Sequence, residues 1–299
     1  MRSASDSLAD IRALIAMHAR PDLRTPIDGL LLSKVTRSAT PDYSLTEPLL
    51  VVMAQGGKRL LLGERVFEYR AGHCLIVTAN LPVTGEYLAP SLGMGLVLRP
   101  AAVAALMLQV PTAPRTSPTG PAMATGPADA ELLDAVARML RLLNHPADAP
   151  VLAPLIEQEI LWRLLTGPHA QMVRQIGLAD SDLAHLSVAI GWIRENFAEP
   201  VRIEDLARMC GMSTSAFHRH FRAVTAMSPL QFHKRIRLQQ ARTLLVAQRD
   251  DIAGVGHRVG YDSPSQFTRE YRRLFGATPG QDAARLRIVE HIPEPAHVL

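Results

Sequence analysis

The spacing of apolar positions changes character along this chain. Over the first third they fall in short runs or alternate, at Ile27 to Arg37, Pro48 to Gln55, Lys58 to Leu62, Arg65 to Tyr69, His73 to Ala79 and Gly95 to Arg99. Turn formers such as Gly56-Gly57, Gly63-Glu64 and Ala71-Gly72 separate these runs, so the pattern predicts short antiparallel strands in a sandwich or small barrel. Ahead of them, Leu8, Ile11, Leu14 and Ile15 among charged residues predict an amphipathic helix within Met1 to Ala19, not a signal peptide. Pro100 opens a helical run through Leu108, and the Pro/Thr/Ala/Gly-rich stretch from Pro111 to Pro127 predicts a mobile loop. Apolar residues three and four apart then predict helices over Ala130 to Leu143 and Val151 to Leu165. A linker around Leu178 to Ser181 precedes a helix over Leu183 to Phe197, and from Glu199-Pro200 the chain reads as helical to about Arg287.

An internal repeat lies in that last part. Ile203, Leu206, Ala207, Cys210 and Gly211 return 49 residues on as Ile252, Val255, Gly256, Val259 and Gly260. After a one-residue insertion Ser213, Ser215, Phe217, Arg219, Phe221, Arg222 and Pro229 return as Ser263, Ser265, Phe267, Arg269, Tyr271, Arg272 and Pro279. Each copy has the parts of a helix-turn-helix: a small residue where two helices cross, a glycine able to take the left-handed turn, and a serine to cap the second helix. Aromatic residues four apart, 217 with 221 and 267 with 271, predict the buried face. Ser215, His218, Arg219 and Arg222, and likewise Ser265, Gln266, Arg269 and Arg272, then project from the other side. These are donors suited to base edges and phosphates. Between the copies, Ser228-Pro229 opens a linker helix to about Ala247. Its roughly 18 residues span roughly 27 Å, a length that can set two helices into neighbouring major grooves.

Charge sharpens this picture. The chain carries only +4 overall, yet Val201 to Glu290 holds 15 Lys or Arg against 8 Asp or Glu. The surplus points to an anionic partner for the C-terminal part. At 299 residues the chain suits two domains. Its two cysteines, Cys74 and Cys210, are too few for a disulfide framework or zinc cluster and are expected to be buried and inert in a reducing cytoplasm. No stretch reaches the length of a membrane-spanning helix.

The segments MSTSAFHRHFRAVTAMSPLQF, RLQQARTLL and VGYDSPSQFTREYRRLFGATP, within Arg202 to Arg287, resemble the DNA-binding domain of the AraC/XylS family of transcription regulators. GKRLLLGERVFEYRAGHCLIVTANLPVTGEY resembles the cupin-like N-terminal domain of one branch of that family. The resemblance implies an α+β fold: a cupin-like β-barrel with dimerisation-type helices over 1–177, then an all-α domain of two helix-turn-helix motifs and a linker helix over 178–299. It implies a non-enzymatic regulator of transcription, activator or repressor, without a cofactor. Its partners would be double-stranded promoter DNA, RNA polymerase, a second copy of the chain and, as a further candidate, a small-molecule effector. Arg219 and Arg269 are the first candidates for base contact, followed by Ser215, His218, Ser265, Gln266 and Thr268, while Arg222 and Arg272 suit phosphates or nearby acids. Two departures stand out: Arg202 where the family usually caps with Ser or Thr, and Gly256 where it usually has Ala. Asp251 is expected to cap the corresponding second-copy helix.

Other candidate chemistry is thin. A metal-dependent cupin enzyme needs a His-x-His pair with a further Glu and His, and His73 has no such company. A DNA-repair methyltransferase of helix-turn-helix type needs a zinc-binding set of four cysteines and a reactive one. Cys74 and His73, adjacent in a strand, point to opposite faces. Met53, Tyr69, Tyr87 and Met94 either line an effector cavity or fill the core, and core filling is the commoner use of such side chains. Nonspecific binding through charge alone is the other DNA-binding reading, and the varied polar faces of the repeat speak against it.

Overall fold

The computed structural model describes residues 3–36, 41–88, 90–109, 121–178, 181–247 and 252–290. They form two compact units, one built mainly on residues up to Ala184 and the other from His185 onward.

The first unit opens with α1 (Ala4–His18), capped by Ser3, whose Oγ accepts from the Asp6 amide at 3.1 Å. Eight strands follow: β1 (Leu30–Val35), β2 (Asp42–Leu45), β3 (Leu49–Gln55), β4 (Gly57–Leu62), β5 (Arg65–Arg70), β6 (His73–Val77), β7 (Pro82–Tyr87) and β8 (Ser91–Val97). After α2 (Pro100–Met107) comes β9 (Met123–Pro127). The strands pair antiparallel in two sheets, ordered β1-β8-β3-β6-β9 and β2-β7-β4-β5. Of the two forms expected, the described strands therefore take that of a sandwich. Its central strand β3 is buried from Leu49 to Ala54 because both of its faces are covered. On one face Leu50 and Val52 join Leu32, Ile76 and Met94 in a core shared with α1, α3 (Ala130–Arg141) and α4 (Ala149–Thr166). Each such side chain contributes about 1.5–3 kcal/mol when fully buried. α5 (Ala170–Gly177) completes the unit.

One expectation needs correction here. The stretch Pro111 to Pro127 is not loop throughout: 110–120 lie outside the described residues, but Met123–Pro127 is β9, paired with β6 from Val77↔Met123 to His73↔Pro127. An edge strand has one free side, so a proline at its end breaks no ladder bond the sheet needs. Met53, Tyr69, Tyr87 and Met94 are all buried but do not share one interior. Val52 and Met94 are register partners, as are Met53 and Gly93. Strand alternation thus turns Met94 to the helices and Met53 to the other face. Cys74 also packs on the helix side, where burial pushes its thiol up to about 11, as an inert core cysteine should behave. His73 is half-buried and its Nδ1 has no hydrogen-bond partner.

The second unit is helical. After α6 (Asp182–Glu195) come α7 (Ile203–Met209), α8 (Thr214–Thr225), α9 (Pro229–Ala247), α10 (Ile252–Arg258), α11 (Pro264–Phe275) and α12 (Pro279–Glu290). No described helix is long and apolar enough to cross a membrane.

Candidate nucleic-acid interface

The two copies of the repeat fold with the same local bonds. α7 turns into α8 through Gly211 at φ +64°, and α10 into α11 through Gly260 at φ +88°. In each copy the residue after the glycine closes the turn: the Met212 amide donates to the Ala207 carbonyl at 2.9 Å, and the Tyr261 amide to the Gly256 carbonyl at 3.0 Å. Left-handed backbone suits glycine because a Cβ would crowd the adjacent peptide. At Gly260 the demand is stricter, since a Cβ there would stand 2.3 Å from the Ala198 carbonyl oxygen. Gly256 has its own reason: a Cβ would meet the Phe267 ring at 3.0 Å, so the second copy takes glycine where the first has Ala207. Ser213 Oγ accepts from the Ala216 amide (3.3 Å) and Ser263 Oγ from the Gln266 amide (3.4 Å), capping α8 and α11. The match extends one helix further. Ser228 with Gln231 and Thr278 with Gln281 form reciprocal caps at the starts of α9 and α12, a repeat the sequence reading passed over. Arg202 makes no side-chain cap, and Asp251 lies outside the described residues.

Phe217, Phe221, Phe267 and Tyr271 are fully buried, as their spacing predicts. Phe221 meets Phe232 of α9 edge-on at 5.4 Å, and Tyr271 lies tilted against Phe275 at 4.4 Å. With that face committed to the core, Ser215, His218, Arg219 and Arg222 of α8, and Ser265, Gln266, Arg269 and Arg272 of α11, are exposed, while Thr268 is half-buried. Arg219 lies 3.2 Å from the His220 ring. Gln266 donates to Glu270 at 3.4 Å, and Ser265 shares a 2.8 Å bond with Ser263. Arg222, Arg269 and Arg272 have no ion pair among the described residues. The second unit thus carries two rows of exposed donors.

Behind these rows is a polar frame. Arg237 of α9 donates to the carbonyls of Phe197 (2.7 Å), Ala198 (2.9 Å) and Glu199 (3.1 Å), and to that of the turn residue Gly260 (2.9 Å). One guanidinium thereby ties the end of α6, the linker helix and the second turn together. Lys234 of α9 pairs with Glu270 of α11 at 2.9 Å, and Tyr261 donates to the same carboxylate at 2.9 Å. Burial pushes Glu270 up, but these bonds outweigh it and hold its carboxyl below the usual range. Asp282 of α12 is fully buried and accepts from Arg242 of α9 (2.8 Å), Tyr271 of α11 (2.9 Å) and Arg285 (2.7 Å). None of Arg237, Arg242, Glu270 or Asp282 was singled out from the sequence. Asp282 is buried in α12, a segment whose apolar spacing marks no core face.

Residues 26–172 match the family described as AraC-type transcriptional regulator N-terminus, and residues 206–285 match a helix-turn-helix domain family. Among curated relatives, the HTH-type transcriptional activator RhaS of Salmonella paratyphi A is 27% identical over 157 residues, covering 51% of this chain and 56% of that one. The chain thus spans little more than half the length of that relative. Among solved structures, an apo ToxT variant from Vibrio cholerae covers 87% of this chain and 99% of its own at a TM-score of 0.55 and 8% identity. Wild-type ToxT bound to unsaturated fatty acid covers 87% and 96% at 0.53 and 9%. At such identity the likeness concerns fold.

Proposed function

The chain belongs to the AraC-type transcriptional regulators, and on that premise we propose that it binds specific sites in double-stranded promoter DNA and acts on RNA polymerase in the cytoplasm. Residues 178–299 are the DNA-binding domain, and 1–177 the effector and dimerisation domain. Arg219 and Arg269 read base edges, flanked by Ser215, His218, Ser265, Gln266 and Thr268, and Arg222 and Arg272 hold phosphates. The observation that carries this reading is the repeated geometry: two glycine turns, each holding a helix whose aromatic face is buried and whose arginine face is open. α9, with 19 residues at about 1.5 Å each, is a rod of roughly 28 Å between them, close to the roughly 34 Å of one DNA turn. The N-terminal family and the curated relative are described as transcriptional regulators, which supports a regulator over an enzyme.

Footprinting of genomic fragments at two salt concentrations tests the reading. A protected site that survives at both, with affinity falling as salt rises, is the expected result. Uniform protection that simply fades with salt would instead indicate binding by charge alone.

A second copy of the chain is the partner proposed for α4. Val151, Leu155 and Trp162 lie on one outward line of that helix and remain 68%, 59% and 39% exposed. An apolar line of this kind is self-complementary across a two-fold axis. Leu155→Glu is expected to convert a sedimenting dimer to a monomer that keeps its far-UV circular dichroism; a dimer unchanged by the substitution would place the contact elsewhere. ToxT, a structural neighbour, binds unsaturated fatty acid, which supports reading the front domain of this chain as an effector domain.

A further inference from the structure

α11 carries a single acid, Glu270, one turn beyond Gln266 on the same side of the helix. Its Oε1 accepts from Gln266 Nε2 at 3.4 Å, while Lys234 Nζ and the Tyr261 hydroxyl each hold the carboxylate from behind at 2.9 Å. The Glu270 side chain is 15% exposed, whereas Gln266 is open to solvent. Burial pushes the Glu270 carboxyl up, but the bonds from Lys234 and Tyr261 outweigh it and keep the group ionised at neutral pH.

An ionised carboxylate only accepts, so the Gln266 amide must turn its nitrogen toward Glu270. One N–H is thereby committed, and the carbonyl oxygen with the second N–H is left for a base. That pair is the edge by which glutamine meets N6 and N7 of adenine. Flipped the other way, the amide would set its oxygen against the carboxylate, acceptor against acceptor. The first copy of the repeat shows that the fold itself does not demand this group. Met212, Ala216 and His220 stand where the second copy has Tyr261, Gln266 and Glu270, yet the glycine turn, the serine cap and the buried aromatic pair are the same. Phenol, amide and acid thus occur together in one copy and are replaced together in the other.

We infer that Glu270 is a positioning residue for base reading: by holding one N–H of Gln266 it fixes the orientation of that amide, so that the second recognition helix selects adenine at one operator position. This deepens the proposed function, because it rests on α11 entering the major groove.

The test uses the purified full chain. Selection from a randomised duplex pool gives the preferred operator, and the base pair whose preference disappears in Gln266→Ala marks the position Gln266 reads. Four duplexes differing at that pair are then titrated by anisotropy. Wild type is expected to prefer adenine there about tenfold. Glu270→Gln, whose amide can also donate to Gln266 Oε1, is expected to lower that preference to about twofold and to leave the pairs read by Arg219 and Arg269 unchanged. Combining it with Gln266→Ala should change nothing further at that pair. Should Glu270→Gln fail to fold, Glu270→Asp, which withdraws the carboxylate by one methylene, is expected to give the same local loss. An undiminished adenine preference in these variants overturns the inference, as does an equal loss at every operator position, the mark of a purely structural acid. A Gln266→Ala protein with the preferences of wild type overturns it too. Tighter binding of all four duplexes with the preference kept, and a salt dependence steeper by about one phosphate contact, would mean that the acid only masks Lys234, and likewise overturns it. With an operator selected, each of these results sinks this inference alone; a wild-type chain that enriches no sequence sinks the reading beneath it as well.

Discussion

A protein carrying Arg219→Ala together with Arg269→Ala should bind its promoter site no better than a scrambled duplex of the same length. An arginine paired bidentately with a guanine is worth about 1–3 kcal/mol of discrimination, so two independent readers account for roughly 2–6 kcal/mol, from about 30-fold to more than 10⁴-fold. The lower plateau is the residual nonspecific affinity, which Arg222, Arg272 and the overall surplus of positive charge still supply. Both substituted side chains are exposed, and among the described residues the contact of Arg219 with His220 is the one side-chain bond lost. The thermal midpoint should therefore stay within a degree or two of wild type, which separates a reading defect from a folding defect. Anisotropy titrations on specific and scrambled duplexes supply both affinities. A double variant that still prefers the specific duplex would remove these two arginines from the interface.

The largest loss of stability is expected at Asp282, which makes no part of the exposed rows. Its carboxylate is fully buried, and Arg242, the more buried of its two arginine partners, is 12% exposed. Removing one member of a buried pair leaves the other charged and desolvated, at a cost of about 3–5 kcal/mol. Asp282→Ala also strips Tyr271 of its acceptor beneath α11, so the second recognition helix loses its anchor to α9 and α12. Trp192 is the one tryptophan of the second unit and Trp162 the one of the first, so urea unfolding followed by fluorescence in a Trp162→Phe background reports on the second unit. Its midpoint should fall sharply in the Asp282→Ala protein. A change below 1 kcal/mol would mean that the network contributes little.

The same pair has an acid signature. Burial pushes the Asp282 carboxyl up, but Arg242, Tyr271 and Arg285 outweigh burial and leave its pKa below the ordinary value. A depressed folded pKa means that the unfolded chain takes up the proton first. The contribution is therefore complete above the unfolded value of about 3.9 and disappears as pH falls through the lower folded value. The gap between wild type and Asp282→Ala should be constant from neutral pH down to about 4 and close below it.

Much of the second unit was legible in the chain itself. Two glycines, two capping serines and two aromatic pairs recur at offsets of 49 and 50, and each fixes backbone or side-chain direction within a few residues of itself. That is why Gly211 and Gly260 lie at positive φ and why the arginine faces are open. The first unit was read less completely. β2 and β9 are short strands at sheet edges, and β7 begins with Pro82 and contains Gly85, so neither alternation nor composition marked them.

Periodicity therefore determined where the helix-turn-helix pairs lie and which of their faces is buried, because a helix or strand exposes its sides at intervals set by its own geometry. Only the tertiary structure decided that Arg237 ties three carbonyls after α6 to the Gly260 turn, that Asp282 sits beneath α11, that Met94 and Met53 belong to different layers, and that Lys58 lies inside a sandwich. Those partners lie from 11 to about 40 residues apart in sequence. The energy of a buried charge or hydroxyl depends on which distant group packing brings to it, and no local spacing records that.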